Sequence, residues 1–262
     1  MSYYLPLERV VRALDLIRAG HPVTRGTLQT VFTHMPFDEL VRLGLDGDDE
    51  QFVRTQSTDN LGMLVVKGVV PGGPGAGAGA GGAVQPGVVR GLQPGDILLR
   101  INTRPVVKFT ELEEIIDSSV GEDLTIEVVR GAEHVELVVT VQDLFSISPS
   151  SFLEAGESVF NDLSYHTARH YNLPTGGAYI AKAGYMLKRS GITAGCVVTK
   201  VAGVAIRDIT DLAVELSKVP DGGSVPVRVY NVSAVTVLWL WPWLCCETVT
   251  DQTARGHGLH RV

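Results

Sequence analysis

The sequence predicts an α+β chain, mainly β with short helices, built as two tandem and partly open β-barrels. Three observations carry that expectation. The chain aligns with itself: GLQPGDILLRINTRPVVKFTELEEII from Gly91 matches GITAGCVVTKVAGVAIRDITDLAVEL from Gly191 without a gap, and upstream GMLVVKG from Gly62 matches GAYIAKA from Gly177 while FTHMPFDELVRLGL from Phe32 matches FNDLSYHTARHYNL from Phe160. Each copy contains short runs that alternate apolar and polar residues, the period of a half-buried strand. Finally, 262 residues that are 45% hydrophobic and 19% charged suffice for two small domains, each with its own core.

Residues 1–22 read as a linker strand and helix in which Leu7, Val10, Val11, Leu14 and Ile17 share one face. The first barrel spans 23–142. It starts with a strand ending in Phe32, a short helix from Pro36 to Leu43 and a strand Met63–Val70, and a Gly95-Asp96 turn then feeds the strand Ile97–Asn102. Thr110 and Glu113 have capping-box spacing, and Leu112, Ile115 and Ile116 supply the apolar face of the helix they open. Alternating runs at Leu124–Val128 and Val135–Val139 complete an antiparallel set. The second barrel, 150–241, repeats this order and ends with Val225–Tyr230 and Val235–Trp241. Two insertions distinguish the first copy, an acidic polar one near 46–60 and a Gly/Ala/Pro-rich one near 71–87. Both compositions predict disordered loops, because ordering them costs more chain entropy than burial returns. The polar tail 242–262 reads the same way.

A formal charge of −7 and a pI near 5.5 create no field for phosphate backbones or anionic lipid, so neither nucleic acid nor a membrane surface is an expected partner. The longest apolar run, Ala234 to Cys246, is interrupted by Pro242 and falls short of the ~20 residues a spanning helix needs. Three cysteines, two of them the adjacent Cys245 and Cys246, make a poor disulfide framework, and MSYYLPLERV lacks the charged and apolar regions of a secretory signal. A soluble intracellular protein is expected.

No catalytic constellation emerges from the residue types. Ser158, within Gly156-Glu157-Ser158, is the nearest imitation of a Gly-framed nucleophile, but no G-N-S-G-G-type segment exists. His166 and His170 have a helical spacing that could reach one metal, yet no Glu follows His166 as in H-E-x-x-H, and they read as solvent-facing; His257 and His260 lie in the polar tail. The glycines of 71–87 lack the Lys-Ser/Thr pair of a phosphate-cradling loop, and Cys245-Cys246 is no C-x-x-C pair. Neither metal nor cofactor is expected.

GLQPGDILLRINTRPV, followed by a capped helix and two strands, resembles the second half of a PDZ domain of the HtrA/Deg serine protease family, where G-[LI]-x-x-G-D-[IVL]-[IL] marks the turn into a central strand. In the second copy Cys196 replaces the usual Asp of that motif. SYYLPLERVVRALDLIRAGHPVTRGTLQ resembles the passage from an HtrA protease domain into its first PDZ domain, and Arg25-Gly26-Thr27-Leu28-Gln29 resembles the family's R-G-x-L-G loop, with Gln29 where glycine is usual. With FNDLSYHTARHYNLP in the second copy, the chain is most similar to the long eukaryotic Deg proteases with duplicated architecture.

The resemblance implies a peptide-binding, regulatory module for a serine protease, recognising protein C-termini or extended segments of unfolded substrates as an added strand, with no catalysis in this chain. It implies sites at Gly26, Thr27, Leu28 and Gln29 for a carboxylate loop, at Thr30, Val31 and Phe32 for a receiving edge, and at Leu112, Ile115 and Ile116 for a side-chain pocket. The second-copy counterparts are Gly156, Glu157, Ser158, Val159 and Phe160 with Leu212 and Leu216. The same apolar residues read equally as core. A second reading makes the units assembly modules with blocked grooves that support a homo-oligomer, favoured by Gln29 and Cys196.

Overall fold

The computed structural model describes residues 7–56, 61–77, 91–220, 223–231, 234–240 and 246–251. The chain divides into two compact units, Met1–Ser146 and Ile147–Val262. Both are α+β with mostly antiparallel strands, as expected.

The first unit opens with α1 (Glu8–Arg18), followed by β1 (Gly26–Thr27), β2 (Thr30–Pro36), α2 (Phe37–Arg42), α3 (Gly47–Gln56) and β3 (Gly62–Val69). It continues through β4 (Ile97–Ile101), β5 (Arg104–Pro105), α4 (Phe109–Ser118), β6 (Asp123–Arg130), β7 (Glu133–Thr140) and β8 (Gln142–Asp143). Its main sheet has the order β2-β3-β4-β6-β7, with β5 beside β4, while β1 and β8 pair separately. One sheet face, including Leu64, Val66, Leu98, Leu124 and Ile126, meets Leu112 and Ile116 of α4. The other, with Met63, Val65, Ile97 and Leu99, is covered by Phe37, Leu40 and Val53 of α2 and α3. Burial on both faces explains why β3 lacks a polar alternation at its start, MLVV.

That second face also corrects the expected loop over 46–60, because Gly47–Gln56 form a helix. Asp46 caps it, accepting from the Asp49 N–H at 2.8 Å. Phe52 and Val53 pack below, with the Arg100 guanidinium 4.6 Å over the Phe52 ring. His134 of β7 clamps the helix: Nε2 lies 3.1 Å from Asp49 Oδ2 and Nδ1 lies 3.1 Å from Glu127 Oε1 of β6. The contact with Glu127, ahead of the charges of Asp49 and Asp46, holds the imidazole above its ordinary range. Burial pushes the Asp49 carboxyl up, and His134 pulls it back. A polar composition thus hid a helix held by two apolar side chains and an ion pair.

The Gly-rich insertion is ordered as far as it is described: Pro74–Ala76 form a 3-10 turn, Gly75 N–H donates to Leu28 O at 2.9 Å, and Leu92 N–H donates to Gly75 O at 2.7 Å. Residues 78–90, which carry the rest of that expectation, lie outside the described residues. The helix expected to open at Thr110 begins one residue earlier, and its capping carboxylate is Glu111, which accepts from the N–H groups of Val107 and Lys108. The N-terminal helix appears as α1, held by Arg12, which donates to Thr24 O at 3.0 Å and to the carbonyl of Asp117, and by an Arg9–Glu113 ion pair. Its polar side faces α4, so Leu7, Val10, Val11, Leu14 and Ile17 are exposed.

The second unit contains β9 (Ser151–Ala155), β10 (Ser158–Asp162), α5 (Tyr165–Tyr171), β11 (Ala178–Lys182), α6 (Tyr185–Arg189), β12 (Val197–Val201) and β13 (Val204–Ala205). After these come α7 (Ile209–Ser217), β14 (Val225–Asn231), β15 (Ala234–Leu240) and β16 (Cys246–Asp251). The strand order is β15-β14-β12-β11-β10-β9-β16, with β13 on β12. Its core gathers Phe160, Ile180, Ile192, Val198, Ile209, Leu212 and Leu216. Strand β16 falls in the tail expected to be disordered, where it pairs antiparallel with β9; residues 241–245 and 252–262 lie outside the described residues.

Candidate peptide-binding edge

Among the described residues of the first unit β2 ends its sheet, so one side of its backbone has no described strand beside it in that sheet. Which residues face that side follows from the bonds of β3. Val66 stands opposite Phe32, yet its N–H donates to Asp96 O and its C=O accepts from Gly95 N–H, both at 2.8 Å and both away from β2. Opposed residues in an antiparallel pair either exchange two bonds or both turn away. The N–H and C=O of Phe32 therefore point out of the sheet. Two residues on, those of His34 do the same, and His34 itself is exposed. Thr30, Val31 and Phe32 are half-buried, and Phe32 packs with Ile115 against the core that takes up Leu112 and Ile116.

The loop ahead of this edge is closed by its own contacts. Gly26 N–H donates at 2.9 Å to Asp117 Oδ1, a carboxylate at the end of α4 that is 4% exposed, and Arg25 Nε lies 3.6 Å from the same oxygen. A Cβ on Gly26 would come within 2.1 Å of Ile116 O, so only glycine lets β1 approach the helix this closely. Thr27 pairs with Gln142 of β8. Gln29, at φ +50°, takes the left-handed conformation that its usual glycine would adopt freely. Its N–H donates to Thr27 Oγ1 at 3.0 Å, and its buried Nε2 donates to Gln142 Oε1 at 2.7 Å. The Leu28 carbonyl accepts from Gly75.

In the second unit the repeat preserves the strand and encloses it. Ile180 turns its N–H and C=O to Cys196 and Gly195, at 2.8 and 2.9 Å, and so away from its partner Phe160. Phe160 then faces β9, where Leu153 stands opposite. Both copies bulge one residue earlier, at Val31/Phe32 and at Val159/Phe160. The carboxylate loop implied at Gly156 to Ser158 is a two-residue hairpin turn, Gly156 at φ +55° and Glu157 at +62°. Leu212 and Leu216 come together with Ser158 and Phe160, but Ala155 of β9 fills the space and leaves a void of about 20 Å³, no more than one water. Asp162 ties β10 to the start of α7, accepting from Ile209 N–H at 2.8 Å.

The remaining chemical candidates are accounted for by packing. Ser158 is 1% exposed and accepts from Gly184 N–H at 2.9 Å. His166 and His170 are exposed on α5. His257 and His260 lie outside the described residues, as does Cys245. Among the described residues, Asp46, Asp49 and His134 form the group whose ligand atoms lie close enough for a metal, and a helix cap with an ion pair explains it. Sequence reasoning missed the roles of His34, Asp117 and β9; for β9 the signal was present, since the run SFLEA abuts a Gly-Glu pair and another apolar run, a hairpin pattern.

Residues 146–222 match a family model described as a PDZ-like domain. The mostly antiparallel strands in two main sheets are consistent with tandem PDZ-like domains. Among curated proteins it is 41% identical over 238 residues to Protease Do-like 7 of Arabidopsis thaliana, covering 87% of this chain and 20% of that protein. It is 38% identical over 231 residues to the pro-apoptotic serine protease NMA111 of Ajellomyces capsulatus, covering 88% of this chain and 21% of the relative. The chain is homologous to long eukaryotic HtrA/Deg serine proteases, of which it spans about a fifth. Among solved structures, the HtrA-type protease AlgW with decapeptide is 22% identical with a TM-score of 0.37, covering 53% of this chain and 35% of that one, too low a score to bear on the site. No described helix is long and apolar enough to cross a membrane.

Proposed function

We propose that the chain is a recognition and regulatory region of an HtrA/Deg-type serine protease that binds extended segments of protein substrates and performs no catalytic step itself. The observation that carries this reading is the open side of β2, where Phe32 and His34 present N–H and C=O groups and Phe32 packs on the same core as Ile115 of α4. An extended segment laid there gains up to four main-chain hydrogen bonds, and Phe32, Ile115 and the adjoining apolar surface take its side chains. Selection by backbone and apolar contact suits unfolded substrates of varied sequence. Ser158, buried and bonded, supports a role without a nucleophile, and the buried free thiol of Cys196 fits a reducing intracellular compartment.

The second unit carries a different role, that of a packing module. Its observation is equally direct: β10 has β9 on one side and β11 on the other. The two readings therefore divide between the units.

The test compares His34→Pro with His34→Ala in the full chain. Proline removes an outward N–H and leaves the ladder to β3 intact, as edge strands tolerate. One backbone hydrogen bond contributes about 0.5–1.5 kcal/mol, so the proline variant should bind a fluorescent random decapeptide pool roughly 2- to 10-fold more weakly than the alanine variant. Equal affinities in two folded variants would remove β2 as the site.

A further inference from the structure

We infer that the first unit takes the interior of an extended chain rather than its C-terminal carboxylate, because the loop that would cage a carboxylate already holds one of its own, that of Asp117. This rests on the reading that β2 receives an extended segment, and it specifies which part of a substrate that segment is. A loop that captures a chain end needs unbonded amides and a positive or neutral surrounding, so that the ligand carboxylate exchanges water for several N–H donors at once. Here two of the loop amides are already bonded, and the surroundings hold a buried carboxylate.

Gly26 N–H is bonded to Asp117 Oδ1, and Gln29 N–H is bonded to Thr27 Oγ1. The guanidinium of Arg25, the nearest cation on the loop, lies beside the same Asp117 oxygen. A second carboxylate placed against these residues would meet a like charge held in a buried, poorly screened position. Opening the loop would also require the Gln29 side chain to leave its buried bond with Gln142, and the Leu28 carbonyl to lose Gly75. Those contacts come from α4, β8 and the turn after β3, so the loop is fixed from three directions.

Among the described residues, no strand lies along the open side of β2. Phe32 and His34 lie beyond the loop, and a strand added there meets amides and carbonyls without needing a terminus. Binding through the interior of a chain suits a damaged protein whose exposed apolar stretch lies far from its ends.

The experiment uses the full chain and one random decapeptide pool ending in an apolar residue, prepared as the free acid, as the C-terminal amide, and as a form extended by a few polar residues. Binding is read by fluorescence polarisation. The three forms are expected to bind within about twofold of one another, and each to weaken with His34→Pro. An amide or extended form bound tenfold more weakly than the acid would overturn the inference and leave the β2 reading standing. No binding by any form, or binding indifferent to His34→Pro, would overturn both.

Discussion

Asp96 to Asn is the substitution whose cost the structure defines most closely. The Asp96 carboxylate is 1% exposed and receives three bonds of 2.7 Å: from Gln93 N–H, from Arg130 Nε and from Arg130 NH2. Arg130 NH2 also reaches Gly91 O at 2.9 Å, so the pair pins the turn into β4 against β6. Removing the anion leaves a largely buried guanidinium without its counter-charge, a loss of about 3–5 kcal/mol. That is a large share of a domain's total stability, and for a unit of this size it lowers the melting temperature by about 10–16 °C. In the second unit the backbone positions that correspond to this pair carry no charged residue. Cys196 replaces Asp96, and, with Ile97 opposite Val129 and Val197 opposite Tyr230, the residue in register with Arg130 is Asn231. Asp96→Cys with Arg130→Asn should therefore be more stable than Asp96→Cys alone. Urea unfolding followed by circular dichroism measures these differences. An Asp96→Asn first unit within about 1 kcal/mol of wild type, or a double variant weaker than the single one, would refute the reasoning.

Two further outcomes are expected. The folded-state pKa of His134 is raised by Glu127 and then by Asp49, so its contribution is complete below the unfolded value of about 6.5 and is lost as pH rises through the higher folded value. Wild type should thus lose stability relative to His134→Gln as pH rises above about 6.5; parallel pH profiles from chemical unfolding would show that the α3 clamp carries nothing. Gly26→Ala forces a methyl against the Ile116 carbonyl, which is backbone and cannot swing aside. It should destabilise the first unit by about 1–3 kcal/mol, and an unchanged urea midpoint would mean that β1 does not rest on α4.

Much of the fold was legible because the chain states it twice. Strands β3, β4, β6 and β7 follow runs whose alternation or apolar continuity is visible in either copy, and the repeat extends to the bulge before Phe32 and Phe160. What stayed hidden depended on long-range partners. Helix α3 needs the outer face of β3 and β4 to cover, which no local pattern in DGDDEQFVRTQ announces. Some of the candidate site residues are packing neighbours, Leu112 and Ile116 in the core on which Phe32 packs and Leu212 and Leu216 beside Phe160. Whether a strand edge is open is a different matter, because it turns on which way backbone amides face and on what lies beyond them. Asp117 illustrates this: within TELEEIIDSS it reads as a polar helix residue, and only the approach of Gly26 makes it the carboxylate of the loop.

Amide hydrogen exchange, resolved residue by residue on the full chain with and without the saturating random decapeptide pool, tests the open edge of β2 most directly. The Phe32 and His34 amides, free of β3, should exchange fast alone and at least about tenfold more slowly with peptide, whereas the Phe160 amide, facing β9, should already be slow and stay unchanged. Peptide binding that leaves Phe32 and His34 untouched, or that protects Phe160 instead, would contradict the account.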